Sequence, residues 1–191
     1  MLHVEETTLK GVYLIKPSAH EDRRGNFYEN YNEKEYRDAG LTATFIQDDI
    51  SKSVKGVLKG MHGDAGTYKL VQCAYGSVYA VILNCDETSP DFGKWQSFIL
   101  SDENKYQLYI PPMYGNGYYV LSDVAVYTYK QSTYYGEYKQ FTYKWNDERF
   151  AIKWPAWYGN NALHNTLSSS IHALNSSSVN SFLFRTPISL R

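Results

Sequence analysis

One histidine and one lysine stand close together in this chain, each on a β-like run. Gly56-Val57-Leu58-Lys59-Gly60-Met61-His62-Gly63-Asp64 is followed by Tyr68-Lys69-Leu70-Val71, with a glycine-containing turn between the two runs. Histidine is half-titrated near neutral pH, so it can accept a proton there. A lysine beside it can hold a developing oxyanion. The pair suits carbon-acid chemistry, in which a proton leaves a carbon next to a carbonyl and the charge gathers on oxygen.

The elements that must position this pair read as strands. Runs 11–16, 42–47, 68–73, 76–83, 95–100, 106–110, 118–121, 125–130 and 140–144 are short and rich in β-branched and aromatic residues. Turn chemistry separates them, as in Tyr75-Gly76, Ser89-Pro90-Asp91, Pro111-Pro112 and Gly115-Asn116-Gly117. A repeat of about ten residues predicts an all-β sandwich or barrel. Only Glu33–Ala39, capped by Asn32 and closed by Gly40, reads as a short helix.

Composition narrows the function classes. The chain has 191 residues, 43% hydrophobic and 20% charged, enough to bury a core. Net charge is −1 with scattered Lys and Arg, which argues against nucleic acid as a partner. No apolar run reaches the roughly 20 residues of a membrane span, and the first residues lack a signal-peptide pattern. Cys73 and Cys85 sit on buried-looking runs and are expected to be reduced core thiols of a cytoplasmic protein. The 19 tyrosines suit strands and a pocket for a flat, polyhydroxylated ligand. From Ala156 to Arg191 there is no Asp, Glu or Lys, and Ser and Asn are abundant. The expected division is a domain over 1–155 and an atypical segment over 156–191.

Several short motifs, taken in order, resemble one family. They are Asp22-Arg23-Arg24-Gly25-Asn26-Phe27-Tyr28-Glu29, Gln47-Asp48-Asp49, Gly56 through His62, Lys69-Leu70-Val71 and Ser89 through Trp95. They continue with Leu100 through Lys105, Ile110-Pro111, Tyr129 through Tyr135, Trp145-Asn146-Asp147 and Trp154-Pro155. Over about residues 5–155 the chain resembles the dTDP-4-dehydrorhamnose 3,5-epimerase family. The resemblance implies a cupin-type jelly roll (a double-stranded β-helix) with a short helix near the N-terminus. It also implies a homodimer that epimerises nucleotide-linked 4-keto-6-deoxysugars without a metal or organic cofactor.

A C4 ketone acidifies the hydrogens on C3 and C5, because the carbanion delocalises as an enolate. Epimerisation then needs a base on one face, an oxyanion stabiliser, and a proton donor on the other face. By resemblance, His62 is the base and Asp147 the carboxylate that orients it. Lys69 lies near the C4 oxygen, and Tyr129 returns the proton. By the same resemblance, Arg24 falls at the diphosphate, while Phe27 and Glu29 stack on and hydrogen-bond the nucleobase. Gln47 and Lys59 line the sugar and diphosphate channel, with Asn116 and Tyr135 at the pocket.

The chain departs from the family where it meets the sugar. The family's usual Arg-Gly-Leu-His-Tyr-Gln becomes Lys59-Gly60-Met61-His62-Gly63-Asp64, which loses a planar guanidinium fork. A family histidine is replaced by Asn116, and a family aspartate by Asn84. These variants resemble the branch that acts on 4-keto heptoses or dideoxyhexoses. A metal-binding cupin would need His-x-His, a Glu and a later His, but the downstream histidines are His164 and His172 in the atypical segment. A 3,4-ketoisomerase of the same fold and a non-catalytic sugar-nucleotide-binding jelly roll are the alternatives.

Overall fold

The computed structural model describes residues 2–155. The Ser/Asn-rich segment 156–191 lies outside the described residues. In chain order the elements are β1 (His3–Glu6), β2 (Tyr13–Lys16), β3 (Ala19–Asp22), β4 (Gly25–Tyr28), α1 (Glu33–Asp38), β5 (Gln47–Val54) and β6 (Leu58–Asp64). They continue with β7 (Lys69–Tyr75), β8 (Ser77–Asn84), β9 (Trp95–Ser101), β10 (Gln107–Ile110), β11 (Tyr114–Val120), β12 (Val124–Gln131) and β13 (Gln140–Thr142).

These strands build a six-stranded sheet, β1-β2-β10-β7-β12-β5, and a five-stranded sheet, β13-β6-β11-β8-β9. The main core lies between them. Val71, Leu108, Ala125 and Tyr127 of the first sheet pack against Ala80, Ile82, Leu100, Tyr118 and Val120 of the second. This antiparallel double sheet is the jelly roll expected from the sequence. Each outer face has its own cover. On the first sheet, Ile15, Leu70 and Tyr109 pack under Tyr36 and Leu41. On the second, Met61, Val81 and Leu83 pack with Phe150, Phe141, Tyr143 and Trp154.

Helix α1 forms where its capping signals stand. The Asn32 side chain accepts hydrogen bonds from the backbone of Lys34 and Glu35, acids occupy the first turn, and Gly40 (φ +87°) follows the last. Its buried Tyr36 hydroxyl bonds Gln107, which also donates to Gln72 (2.8 Å) on the sheet. The helix is thereby fixed to the face opposite the core.

Two local expectations are corrected. Residues 42–46 alternate like a strand, yet Ala43 and Phe45 instead pack across the first sheet's outer face, and the strand starts at Gln47. Gly115-Asn116-Gly117 is not a turn but the middle of β11. A Cβ on Gly117 would lie 2.8 Å from the Lys59 carbonyl oxygen and 3.0 Å from Gly60 Cα, so glycine permits the close approach of β6 and β11. The β3–β4 hairpin belongs to neither large sheet, and hydrophobic patterning does not reveal it.

A first prediction arises here. Gly117→Ala should destabilise the fold by about 1–3 kcal/mol, since the β6 backbone at Lys59 and Gly60 must move as well as the Met61 side chain, whose sulfur would lie 2.7 Å away. Urea denaturation followed by tryptophan fluorescence would measure it, and an unchanged midpoint would contradict the close approach.

Candidate active site

The cleft between the sheets has a polar end, and strand register shows how it is built. Across the first sheet, Lys69, Gln131 and Gln47 form one row; Val71, Tyr129 and Asp49 form the next; Cys73, Tyr127 and Ser51 the third. Residues two apart on a strand share a face, and Val71, Cys73 and Tyr127 belong to the inter-sheet core. Lys69, Tyr129 and Asp49 therefore look into the cleft. On the second sheet, His62 pairs with Asn116 and Tyr118 with Lys59 across a bulge. Met61 packs in the outer-face cluster, so the next residue, His62, points inward.

Side chains from the two sheets meet directly. Lys59 Nζ donates to Ser51 Oγ (2.7 Å), the Ser51 and Tyr118 hydroxyls are 3.0 Å apart, and Asn116 Nδ2 donates to the Tyr127 hydroxyl (3.2 Å). Tyr118 and Tyr127 stack with centroids 4.3 Å apart. This seam sets the spacing of the walls. Asp49 is held by two amides, accepting from Gln47 Nε2 and Gln131 Nε2, each at 2.8 Å. The Gln47 carbonyl in turn accepts from the backbone N–H of Tyr135, whose side chain is exposed at the rim.

Burial and neighbouring charges shift the pKa of each reactive group. His62 is open to solvent yet surrounded by protein, as at the floor of a cleft. Desolvation first, then the positive charge of Lys69, lower its pKa to about 4, with Asp64 opposing. The imidazole is neutral at pH 7. Lys69 is buried (7% exposed), and desolvation lowers its pKa, while Asp64 and Asp49 oppose that fall and favour the cation. Burial raises the Tyr129 pKa, with Asp49 adding to it, so the phenol keeps its proton. Among the described residues, the His62 ring, Lys69 Nζ and the Tyr129 hydroxyl form no hydrogen bond. Their bonding capacity is free for a ligand.

Thus His62, Lys69, Tyr129, Gln47, Lys59 and Asn116 come together around one cleft, with Tyr135 at its edge. Asp147 does not join them. Its carboxylate pairs with Arg149 (2.7 Å) in the turn after β13, where Asp147 N–H bonds Lys144 O, so turn chemistry accounts for it. The carboxylate acting on His62 is Asp64, two residues on along the same strand face. Asp64 is itself fixed by the backbone N–H groups of Gly66 (3.0 Å) and Thr67 (2.7 Å).

Arg24 and Phe27, expected at the diphosphate and nucleobase, stand on the β3–β4 hairpin, with Glu29 just after it. Arg24 pairs with Asp22, Phe27 is 73% exposed, and Glu29 accepts from Asn32. A concavity of about 310 Å³ on the hairpin is lined by its own residues, including His20, Asp22, Arg24 and Phe27, and by none from the cleft. The residues missed in the sequence are Asp49, Ser51, Asp64, Tyr127 and Gln131. For Asp49 and Ser51 the signal was the polar alternation Gln47-x-Asp49-x-Ser51, which marks an inward polar face once the strand is recognised.

Comparison with known proteins places this geometry. The profile of the dTDP-4-dehydrorhamnose 3,5-epimerase family matches residues 6–174. The Shigella flexneri dTDP-4-dehydrorhamnose 3,5-epimerase is 41% identical over 140 residues, covering 71% of this chain and 77% of that protein. A Legionella pneumophila 3,5-epimerase crystallised with dTDP-4-keto-L-rhamnose superposes with a TM-score of 0.82 at 35% identity, over 89% of this chain and 91% of that one. The Elizabethkingia anophelis dTDP-4-dehydrorhamnose 3,5-epimerase gives 0.74 at 42% identity, over 81% and 87%. With a jelly roll whose sheets face a neutral histidine toward a lysine and a tyrosine, the chain belongs to the dTDP-4-dehydrorhamnose 3,5-epimerase family of isomerases.

Proposed function

We propose that the cleft epimerises a nucleotide-linked 4-keto-6-deoxysugar at C3, C5 or both, with His62, Lys69 and Tyr129 as the reacting groups. The observation that carries this reading is their placement: His62 extends from one sheet, Lys69 and Tyr129 from the facing one. A sugar ring held between the sheets presents one face to a base and the other to an acid. His62 takes the proton, the C–H electron pair moves onto the C4 oxygen, and the Lys69 cation steadies that charge. Tyr129 then donates its proton to carbon from the opposite face. The ketone is regenerated, and solvent restores Tyr129 and His62. The chemistry needs no redox step, and no cofactor enters this reading.

The dTDP-4-keto-L-rhamnose bound by the Legionella relative supports a dTDP-sugar as substrate. Lys59 and Gln47 line the channel for the sugar and diphosphate. A homodimer is the proposed working unit and the cytoplasm the proposed compartment. Two free, buried thiols support a reducing compartment: burial raises the Cys73 and Cys85 pKa values to about 11 and about 12. No helix among the described residues is long and apolar enough to cross a membrane.

Tyr129→Phe tests the division of labour. Incubated with a dTDP-4-keto-6-deoxysugar in D2O, the variant should form the enolate and exchange deuterium while inverting little or no product, as NMR of the ring protons would show. Inversion at the wild-type rate would remove Tyr129 from the mechanism. A product with its ketone moved to C3 would favour the ketoisomerase.

A further inference from the structure

Asp49 places a carboxylate in the cleft that none of the proton transfers uses. Both of its amide partners, Gln47 Nε2 and Gln131 Nε2, donate to the same oxygen, Oδ2, at 2.8 Å each. The other oxygen, Oδ1, accepts no hydrogen bond from the described residues. Nor is it sealed in, since no buried side-chain oxygen among the described residues goes unpartnered. Asp64, the other carboxylate acting on Lys69, has both oxygens committed. Its Oδ1 accepts from the backbone N–H groups of Gly66 and Thr67, and its Oδ2 from Gln140 Nε2. Two amides thus hold the Asp49 carboxylate in one orientation and leave one oxygen as a fixed acceptor in the cleft. Such an acceptor calls for a donor on the ligand.

Its place in the wall says which donor. Strands β7, β12 and β5 are neighbours in that order. Lys69, Tyr129 and Asp49 accordingly follow one another across the wall, with Tyr129 and Asp49 directly opposed. With Lys69 at the C4 oxygen and Tyr129 at a carbon beside C4, Asp49 meets the substituent beyond. Beyond C5 stand the ring oxygen and the C6 methyl of a 6-deoxysugar, and neither has a polar hydrogen to give. Beyond C3 stands the C2 hydroxyl. The C3 hydroxyl itself changes face when C3 inverts, so a fixed acceptor could serve only one epimer. C2 does not react and keeps its hydroxyl in place throughout. We propose that Asp49 Oδ1 accepts a hydrogen bond from the C2 hydroxyl of the substrate sugar, which turns C3 rather than C5 toward Tyr129 and selects sugars hydroxylated at C2. The assignment rests on the epimerase reading and deepens it. Asp49 recognises and orients the ring and moves no proton.

Two substrates test it: a dTDP-4-keto-6-deoxysugar, and the matching dTDP-4-keto-2,6-dideoxysugar, which lacks only the C2 hydroxyl. The wild type should favour the hydroxylated sugar by about 10- to 100-fold in kcat/KM, the range of one hydrogen bond to a charged group. Deuterium from D2O should enter that sugar at C3. In Asp49→Ala most of the preference should be lost. Asp49→Asn, which keeps the shape but gives up the charge, should retain only part of it. Comparing ratios between enzymes cancels the hydroxyl's own effect on the acidity of the C3 hydrogen. A residue that only braced Gln47 and Gln131 would slow both sugars alike and leave the ratio untouched. A wild type indifferent to the C2 hydroxyl overturns the assignment, as does a preference undiminished in both variants or exchange confined to C5. If the wild type turns over neither sugar and exchanges no deuterium, the epimerase reading falls and this assignment with it.

Discussion

Replacing His62 by asparagine is expected to lower turnover by about 10²–10⁴-fold and to stop deuterium entering the sugar ring from D2O. Asparagine keeps a polar side chain of similar reach but cannot take the proton. Since no hydrogen bond ties the imidazole to the walls, the fold should not suffer. The pH dependence gives a second readout. His62 has a pKa near 4 rather than 6.5, because burial and Lys69 disfavour its cation. Activity that needs the neutral ring should thus persist below pH 6 and fall only as the pH approaches 4. Stability follows the same sign. The unfolded chain takes this proton first, so lowering the pH from about 6.5 to about 4 costs native stability through His62, and below that no more is lost. A plot of Tm against pH should be flatter in that window for His62→Asn. Wild-type turnover in the variant would mean that another group is the base.

The parts of this molecule that the sequence revealed are those where hydrophobic pattern and site chemistry coincide. β7 and β8 announce themselves because Val71, Cys73, Ala80 and Ile82 face the core. β5 did not, because the face it turns inward is Gln47, Asp49 and Ser51, while Ile50 and Val54 point out. A strand that lines a polar cleft inverts the pattern by which strands are recognised. The adjacent 42–46 run had the right pattern for a different reason, since Ala43 and Phe45 cover the sheet from outside. His62, Lys69 and Tyr129 were legible through ordered motifs. The carboxylate was not. Trp145-Asn146-Asp147 suits an orienting acid and a turn equally well on paper, and only the Arg149 ion pair separates them. Asp64 was visible in the Gly63-Asp64 variant, but its relation to His62 and Lys69 depends on β6 and β7 lining the same cleft.

Lys69→Met should lower turnover by about 10²–10³-fold, with a smaller change in KM, because the oxyanion it serves exists only as the enolate forms. Methionine keeps the apolar stem in its buried site, so the loss reports the charge. The pH profile separates a charge role from a packing role. Burial holds the Lys69 pKa below its ordinary 10.5, and Asp64 and Asp49 hold it up against that effect. The working form is the cation, so rising pH should cut the rate as Lys69 loses its proton, at a pH lower than a surface lysine would give. Lys69→Met should lack this alkaline limb. Asp49→Asn, which keeps the side-chain shape but removes one opposing charge, should move the limb further toward neutrality. It should leave the acid limb near pH 4 in place, since Asp49 is not among the groups acting on His62. An alkaline limb that survives unchanged in Lys69→Met would assign it to another group, with Tyr129 the first to examine. An unmoved limb in Asp49→Asn would leave Asp64 as the carboxylate that keeps Lys69 charged.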